Sequence, residues 1–225
     1  MERIERAEFW LLDVVVRMWY PLYLLVDEEI ELIFNRAGHG LSHEELAEAL
    51  YRLFQKGDVI AGDIVEGELL DEFVPSREQI ESALVDEERV FYGLTPQGGV
   101  RWEEYAKPDW GWYVNASYDT DESGRGKVDI EGVSRQRVAE YLSLHYEHYV
   151  MPDTTAREGS EEWEKLTPWQ VFYWKTLSEG YLGRFAYERE QDALAVQRRY
   201  LQHRPPWVDE WLRRRDNWYT KYPEA

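Results

Sequence analysis

The chain has 225 residues, 44% of them apolar, enough for one large domain or two small ones with real cores. Its formal charge of -19 is concentrated in residues 1–150, where 32 acidic side chains stand against 14 basic ones; residues 151–225 hold 13 against 12. The absence of cysteine excludes disulfides, thiolate metal sites and cysteine nucleophiles, and the acidic field repels phosphate backbones and anionic lipid heads.

Glu5 to Tyr20 reads as a first helix with apolar residues on most faces, interrupted at Pro21. The apolar run Phe9 to Val26 contains Asp13, Arg17 and Pro21. A charge at mid-bilayer costs about 2.5–3.5 kcal/mol, so a buried helix is expected rather than a membrane span. Glu2 and Glu5 cancel Arg3 and Arg6, which is unlike a signal peptide, and a cytoplasmic location is expected. A second helix is predicted from Leu22 to Arg36, closed by Ala37-Gly38-His39-Gly40. Ser42 and Glu45 form a capping box for a third helix, which Gly57-Asp58 stops. On its 3.6-residue period Leu46, Ala49, Leu50, Leu53 and Phe54 share one face; Glu44, Glu45, Glu48, Tyr51, Arg52 and Gln55 share the other.

Val59 to Ala61 opens a strand that can continue toward Val65, and Ser76 to Val85 reads as a short capped helix. Val90 to Leu94 has strand composition, and Thr95-Pro96 starts a helix through Tyr105. Proline, aspartate and glycine between Lys107 and Gly111 mark a boundary, giving expected domains at 1–107 and 108–225. Beyond it, Trp112 to Tyr118 and Lys127 to Val133 suit a hairpin, and Ser134 caps a helix with Val138, Leu142, His145 and Tyr149 on one stripe. Met151 to Ser160 reads as a loop, and helices are predicted at Pro168 to Ser178, Phe185 to Gln202 and Pro206 to Tyr219. A seven-residue recurrence of Ala186/Tyr187, Ala193/Leu194 and Tyr200/Leu201 suggests a packing seam and a homodimer through the C-terminal helices.

Two segments sharpen the reading of the first domain. Ala49 to Ile60 (ALYRLFQKGDVI) is similar to the recognition helix and first wing strand of PadR- and MarR-type transcription regulators. Phe91 to Gly99 (FYGLTPQGG) resembles their second wing strand and the helix after it. The likeness covers about a third of the chain and implies a winged-helix fold in which the third helix enters the major groove of DNA. At the positions that would face DNA this chain carries Glu44, Glu45 and Glu48, with Arg52 the lone cation. The wing strands are separated by an acidic insertion, and residues 57–89 hold eleven acidic against two basic side chains. Phosphate affinity comes largely from lysine and arginine, so DNA is disfavoured on this face.

Other motifs are weak. His145 and His148 are three apart beside Glu147, but a bare HxxH without a third ligand is more often packing, and a hydrogen-bonded core histidine is expected. Gly98-Gly99 lacks the lysine of a phosphate loop and suits close packing beneath Trp102. Trp110, Trp112 and Tyr113 read as packing rather than a stacking platform. No GxSxG, HExxH or Rossmann fingerprint occurs. Arg198, Arg199, Arg204, Arg213, Arg214 and Arg215 make the C-terminal region basic, to dock on the acidic half, pair with it in a dimer, or touch an anionic partner. The first needs no new molecule.

The expectation is therefore an α+β protein: a winged-helix-like N-terminal domain with an acidic wing insertion, then a β-hairpin and a mainly helical C-terminal region. Its expected role is non-enzymatic, without metal or cofactor: capture of a basic protein through Glu44, Glu45, Glu48, Tyr51 and Arg52. A DNA-binding transcription regulator and a metal-dependent enzyme are the second and third readings. Solubility alone is the competing explanation of the acidic surface.

Overall fold

The computed structural model describes residues 3–27, 29, 31, 37–65, 68–85, 90–190, 194, 196, 198 and 204–221. The chain is α+β, with antiparallel sheets, and divides into two compact units. Unit 1 comprises Met1–Lys107 together with Gln170–Lys175 and Thr220–Ala225; unit 2 comprises Pro108–Trp169 and Thr176–Tyr219.

In unit 1, helix α1 (Arg3–Val14) leads to a two-residue strand β1 (Tyr20–Pro21) and a 3-10 turn at Leu22–Val26. The first helix predicted to Tyr20 thus stops earlier, where the run Val14-Val15-Val16 crowds a helical backbone and Tyr20 pairs with Tyr92 instead. Of the second predicted helix, Leu22–Val26 is this 3-10 turn, which Asp27 ends with extended backbone; residues 28, 30 and 32–36 lie outside the described residues. Helix α2 (His43–Lys56) follows the sequence signals closely. Glu45 N donates to Ser42 Oγ at 3.3 Å, and Ser42 N donates back to Glu45 Oε2 at 2.9 Å. Gly57 ends the helix at φ 72°, a left-handed conformation that a Cβ would strain.

Strands β2 (Val59–Val65) and β3 (Glu68–Phe73), helix α3 (Arg77–Val85), strand β4 (Val90–Leu94) and helix α4 (Pro96–Ala106) complete the main run of unit 1. The sheet order is β1-β4-β2-β3, so β2 is flanked by both β4 and β3. β3 has no counterpart in the sequence reading, because its leucines sit among carboxylates without strict alternation. Thr95 ties the start of α4 to the end of α2: its Oγ1 donates to Gly57 O at 2.6 Å and accepts from Gly98 N at 3.0 Å.

α1 is buried on nearly every side, with Ala7, Phe9, Trp10, Leu11, Leu12 and Val14 all in the core. Its C-terminal carbonyls are met by aromatic donors. Tyr92 Oη donates to Leu11 O at 3.2 Å, Tyr173 Oη to Val15 O at 2.6 Å, and Trp174 Nε1 to Val16 O at 2.8 Å. Tyr173 and Trp174 belong to the returning segment of unit 1, where the sequence predicted a helix. That stretch is instead strands β5 (Trp169–Phe172) and β6 (Lys175–Leu177), in agreement with its aromatic and β-branched content.

Unit 2 is built on strands β7 (Val114–Thr120), β8 (Arg125–Gly132), β9 (Thr154–Ala156), β10 (Glu162–Leu166) and β11 (Gly180–Arg189), with helices α5 (Arg135–Tyr146) and α6 (Pro206–Asp216). β7 and β8 form the expected hairpin, β8 pairs with β11, and β9 and β10 share the other side of β11. The mainly helical C-terminal region is therefore corrected to a largely β one. Along β11, Phe185 and Tyr187 are buried while Arg184 and Ala186 are half-exposed, a period of two that outweighs the seven-residue coincidence. Ala186 and Tyr187 thus lie on a strand, and Ala193, Tyr200 and Leu201 lie outside the described residues. Among the described residues no helix is long and apolar enough to cross a membrane.

Gly98 tests how tightly α4 is seated. A Cβ there would lie 1.7 Å from Asp58 O, a backbone atom that cannot step aside. Gly98→Ala is expected to destabilise unit 1 by about 1–3 kcal/mol or more, read from urea unfolding followed by tryptophan fluorescence.

Candidate functional site

Glu44 and Glu45 are exposed in the first turn of α2, where carboxylates also complement the positive end of the helix. Glu45 is committed to the capping box. Glu48, Tyr51 and Arg52 are half-buried further along. Arg77 Nη1 of α3 lies 3.1 Å from Glu48 Oε2, and Arg52 Nη1 lies 3.7 Å from Glu48 Oε1. Arg77 also reaches Glu81 Oε1 at 3.0 Å.

Arg52 turns inward as well, its Nε donating to Glu8 Oε1 at 3.2 Å. This contact joins the face of α2 to an ionic cluster that the sequence reading did not find. Glu8 on α1 is only 4% exposed. It accepts from Arg101 of α4, and Lys56 Nζ lies 3.6 Å from Glu8 Oε2. Arg101 donates in parallel to buried Asp58. Burial raises the pKa of Glu8, but the hydrogen bonds and charges of Arg101, Lys56 and Arg52 outweigh it and hold the carboxyl below its ordinary value. Asp13, five residues on, accepts from Trp102 Nε1 at 2.8 Å. The signal for this cluster was present: a carboxylate inside an apolar helix has to meet a partner.

The cations around the outer face of α2 are thus drawn into ion pairs: Arg52 and Lys56 with Glu8, and Arg77 with Glu48 and Glu81. What the face offers to a visitor is chiefly acid, led by exposed Glu44. Of the C-terminal arginines, Arg204, Arg213, Arg214 and Arg215 are engaged within unit 2, and Arg199 lies outside the described residues. Arg213 forks onto Glu210, Arg215 donates to Asp216 and to Tyr141 Oη, and Arg214 lies over Trp112 at 4.3 Å from its ring centre. Arg137 covers Trp112 too, at 3.7 Å. Trp112 and Tyr113 are buried, and Tyr141 stacks on Trp211 with ring centres 5.3 Å apart. Gly98 and Gly99 serve packing, but the ring against Gly99 is that of Trp174 rather than Trp102.

The histidines do not keep the helical spacing of a metal pair, because α5 ends at Tyr146 and His148 adopts φ 62°. Among the described residues no group of three or more candidate ligands is placed to hold a metal ion. His145 is 2% exposed and boxed by Tyr118, Tyr141 and Phe185, with ring centres 5.8, 5.1 and 5.6 Å away. The hydrogen bond expected for it is missing: neither ring nitrogen has a partner among the described residues. Burial, with a smaller contribution from the charge of Arg215, pushes its pKa down to about 4.

Arg101→Met leaves Glu8 and Asp58 buried with their main counter-ion gone, and a loss of about 3–5 kcal/mol is expected in urea unfolding at neutral pH. For His145 the folded state resists protonation that the unfolded chain accepts at about pH 6.5. Its contribution is complete above pH 6.5 and declines as the pH falls toward 4, by about 3 kcal/mol in total. Between pH 7.5 and 4.5 the unfolding midpoint of His145→Phe should therefore fall less steeply than that of the unmodified chain; parallel declines would show that His145 is not the group responsible. Comparisons of the chain with protein-family models, with curated proteins and with solved structures give no match in any of the three.

Proposed function

We propose that this chain is a non-enzymatic regulatory or interaction protein whose unit 1 is a winged-helix-like module that captures a basic protein surface. In this reading α2 occupies the place of a recognition helix. β2 and β4 are the wing strands, and β3 with α3 is the acidic insertion between them. The succession of α2, β2, β4 and α4, and the sheet that pairs β2 with β4, support the assignment.

The observation that carries the functional reading is the direction in which the cations turn. Arg52 and Lys56 reach inward to Glu8, and Arg77 is held by Glu48 and Glu81, whereas Glu44 and Glu45 remain exposed. A phosphate backbone approaching this face would meet carboxylates first, and a lysine- or arginine-rich surface would meet complementary charge. The engagement of Arg213, Arg214 and Arg215 within unit 2 supports a protein partner over a DNA-binding regulator.

The test is capture by the immobilised full chain from an extract of cells that express it, with recovered proteins and nucleic acids both identified. The unmodified chain should retain basic proteins, and Glu44→Lys should weaken retention about fivefold, the effect of roughly 1 kcal/mol for a reversed rim charge. Adding Glu48→Lys should weaken it further, with circular dichroism to show that α2 survives loss of the Arg77 pair. Undiminished capture by both variants, or retention of duplex DNA in place of protein, defeats the proposal.

A further inference from the structure

The two edges of the sheet in unit 1 are treated differently. One is closed by β1, two residues long and containing Pro21, which removes a backbone donor. The other is β3, six residues long, with neither proline nor lysine, and β2 is its only strand neighbour among the described residues. A sheet edge of that length presents a row of backbone donors and acceptors to any chain able to pair with it.

The surroundings of β3 select the kind of chain. A register shift between Gly62 and Ile64 of β2 leaves Leu70 and Asp71 outside the paired positions, and both are exposed, Leu70 by 58%. Val74, directly after the strand, is 52% exposed. A cavity of about 240 Å³ lies at the end of the strand, lined by Phe73, Pro75, Glu78, Gln79, Ser82 and Val90. On β3 and the segments next to it in sequence, Asp63, Asp71, Glu72 and Glu78 are exposed carboxylates. A second copy of this chain would bring the same charge to the same edge, where like charges directly opposite are destabilising.

We infer that β3 is a docking strand, to which an extended partner segment alternating apolar side chains with lysine or arginine adds as a fifth strand. Main-chain hydrogen bonds supply the ladder, exposed Leu70 and Val74 meet apolar side chains of the segment, and Asp71 and Glu72, neighbours that point to opposite faces of the strand, draw its cations. This rests on the proposed capture of a basic protein and adds β3 to the face of α2 as a place where that protein is held.

The probe is a synthetic heptapeptide, Lys-Val-Lys-Val-Lys-Val-Lys, titrated into the full chain by fluorescence anisotropy at low salt. Three comparisons accompany it: the same peptide N-methylated at alternate residues, a glutamate-for-lysine version, and the chain variant Asp71→Lys/Glu72→Lys. The lysine peptide should bind, slow amide exchange in residues 68–73, and lose at least tenfold in affinity on N-methylation or against the variant. The glutamate peptide should not bind. No binding of the lysine peptide, equal binding of the N-methylated one, or unchanged exchange in β3 overturns the inference, as does sedimentation showing the edge occupied by a second copy. The N-methylated arm uses the unmodified chain, so it decides the matter even where the double variant fails to fold. Capture of basic proteins that is lost with Glu44→Lys but kept with Asp71→Lys/Glu72→Lys would sink β3 as the docking strand and leave the proposed function standing; failure of all capture would sink both.

Discussion

Unit 1 depends on the burial of one helix that carries two carboxylates into the core. α1 cannot present Glu8 to water, so α4 supplies Arg101 and α2 supplies Arg52 and Lys56. Such a cluster is a poor source of net stability, because desolvating the ions offsets most of their attraction. Its consequence is positional: once Glu8 is inside, α1, α2 and α4 are compatible with few registers, since any slip strands a charge. Trp102 repeats the constraint at Asp13, and Tyr92, Tyr173 and Trp174 do so at the carbonyl end of α1.

The acidic exterior follows in part from this interior. Four cations of unit 1, Arg52, Lys56, Arg77 and Arg101, are spent on ion pairs, three of them reaching a carboxylate that the surface never displays. Lys56 and Arg101 are turned to Glu8, while Arg52 and Arg77 offset Glu48 and Glu81, which leaves Glu44 and Glu45 as the exposed acid of the outer side of α2. A surface potential results from packing as well as composition, and the proposed affinity for basic partners rests on both.

Unit 2 uses its cations in another way. Arg137 and Arg214 lie on the two rings' worth of surface that Trp112 offers, and Arg215 sits over Tyr141, which itself stacks on Trp211. The arginine cluster of α6 thereby becomes part of the packing between α5 and α6. The same aromatic density leaves His145 enclosed without a hydrogen-bond partner among the described residues, so its neutral form is the one compatible with the fold.

Local signals were legible wherever a few adjacent residues specify a backbone state. The Ser42–Glu45 capping box, the stop at Gly57, the Thr95-Pro96 start of α4, the hairpin of β7 and β8 and the Ser134 cap are all of this kind. Strands β3, β5, β6 and β11 were not, since a strand is stabilised by the neighbour it pairs with, and a short aromatic run reads equally well on a helical period. The acidic outer face of α2 could be drawn from periodicity alone, including Glu44, Glu45, Glu48, Tyr51 and Arg52. By itself the sequence determined the sign of the charge, the lack of thiol chemistry and the caps of the best-marked helices, because those are properties of residues and their immediate neighbours. Only the tertiary structure decided that Arg52 turns to Glu8, that Arg101 joins Glu8 to Asp58, and that β3 stands at an edge, because partners 43 to 93 residues apart meet through packing that no local pattern encodes.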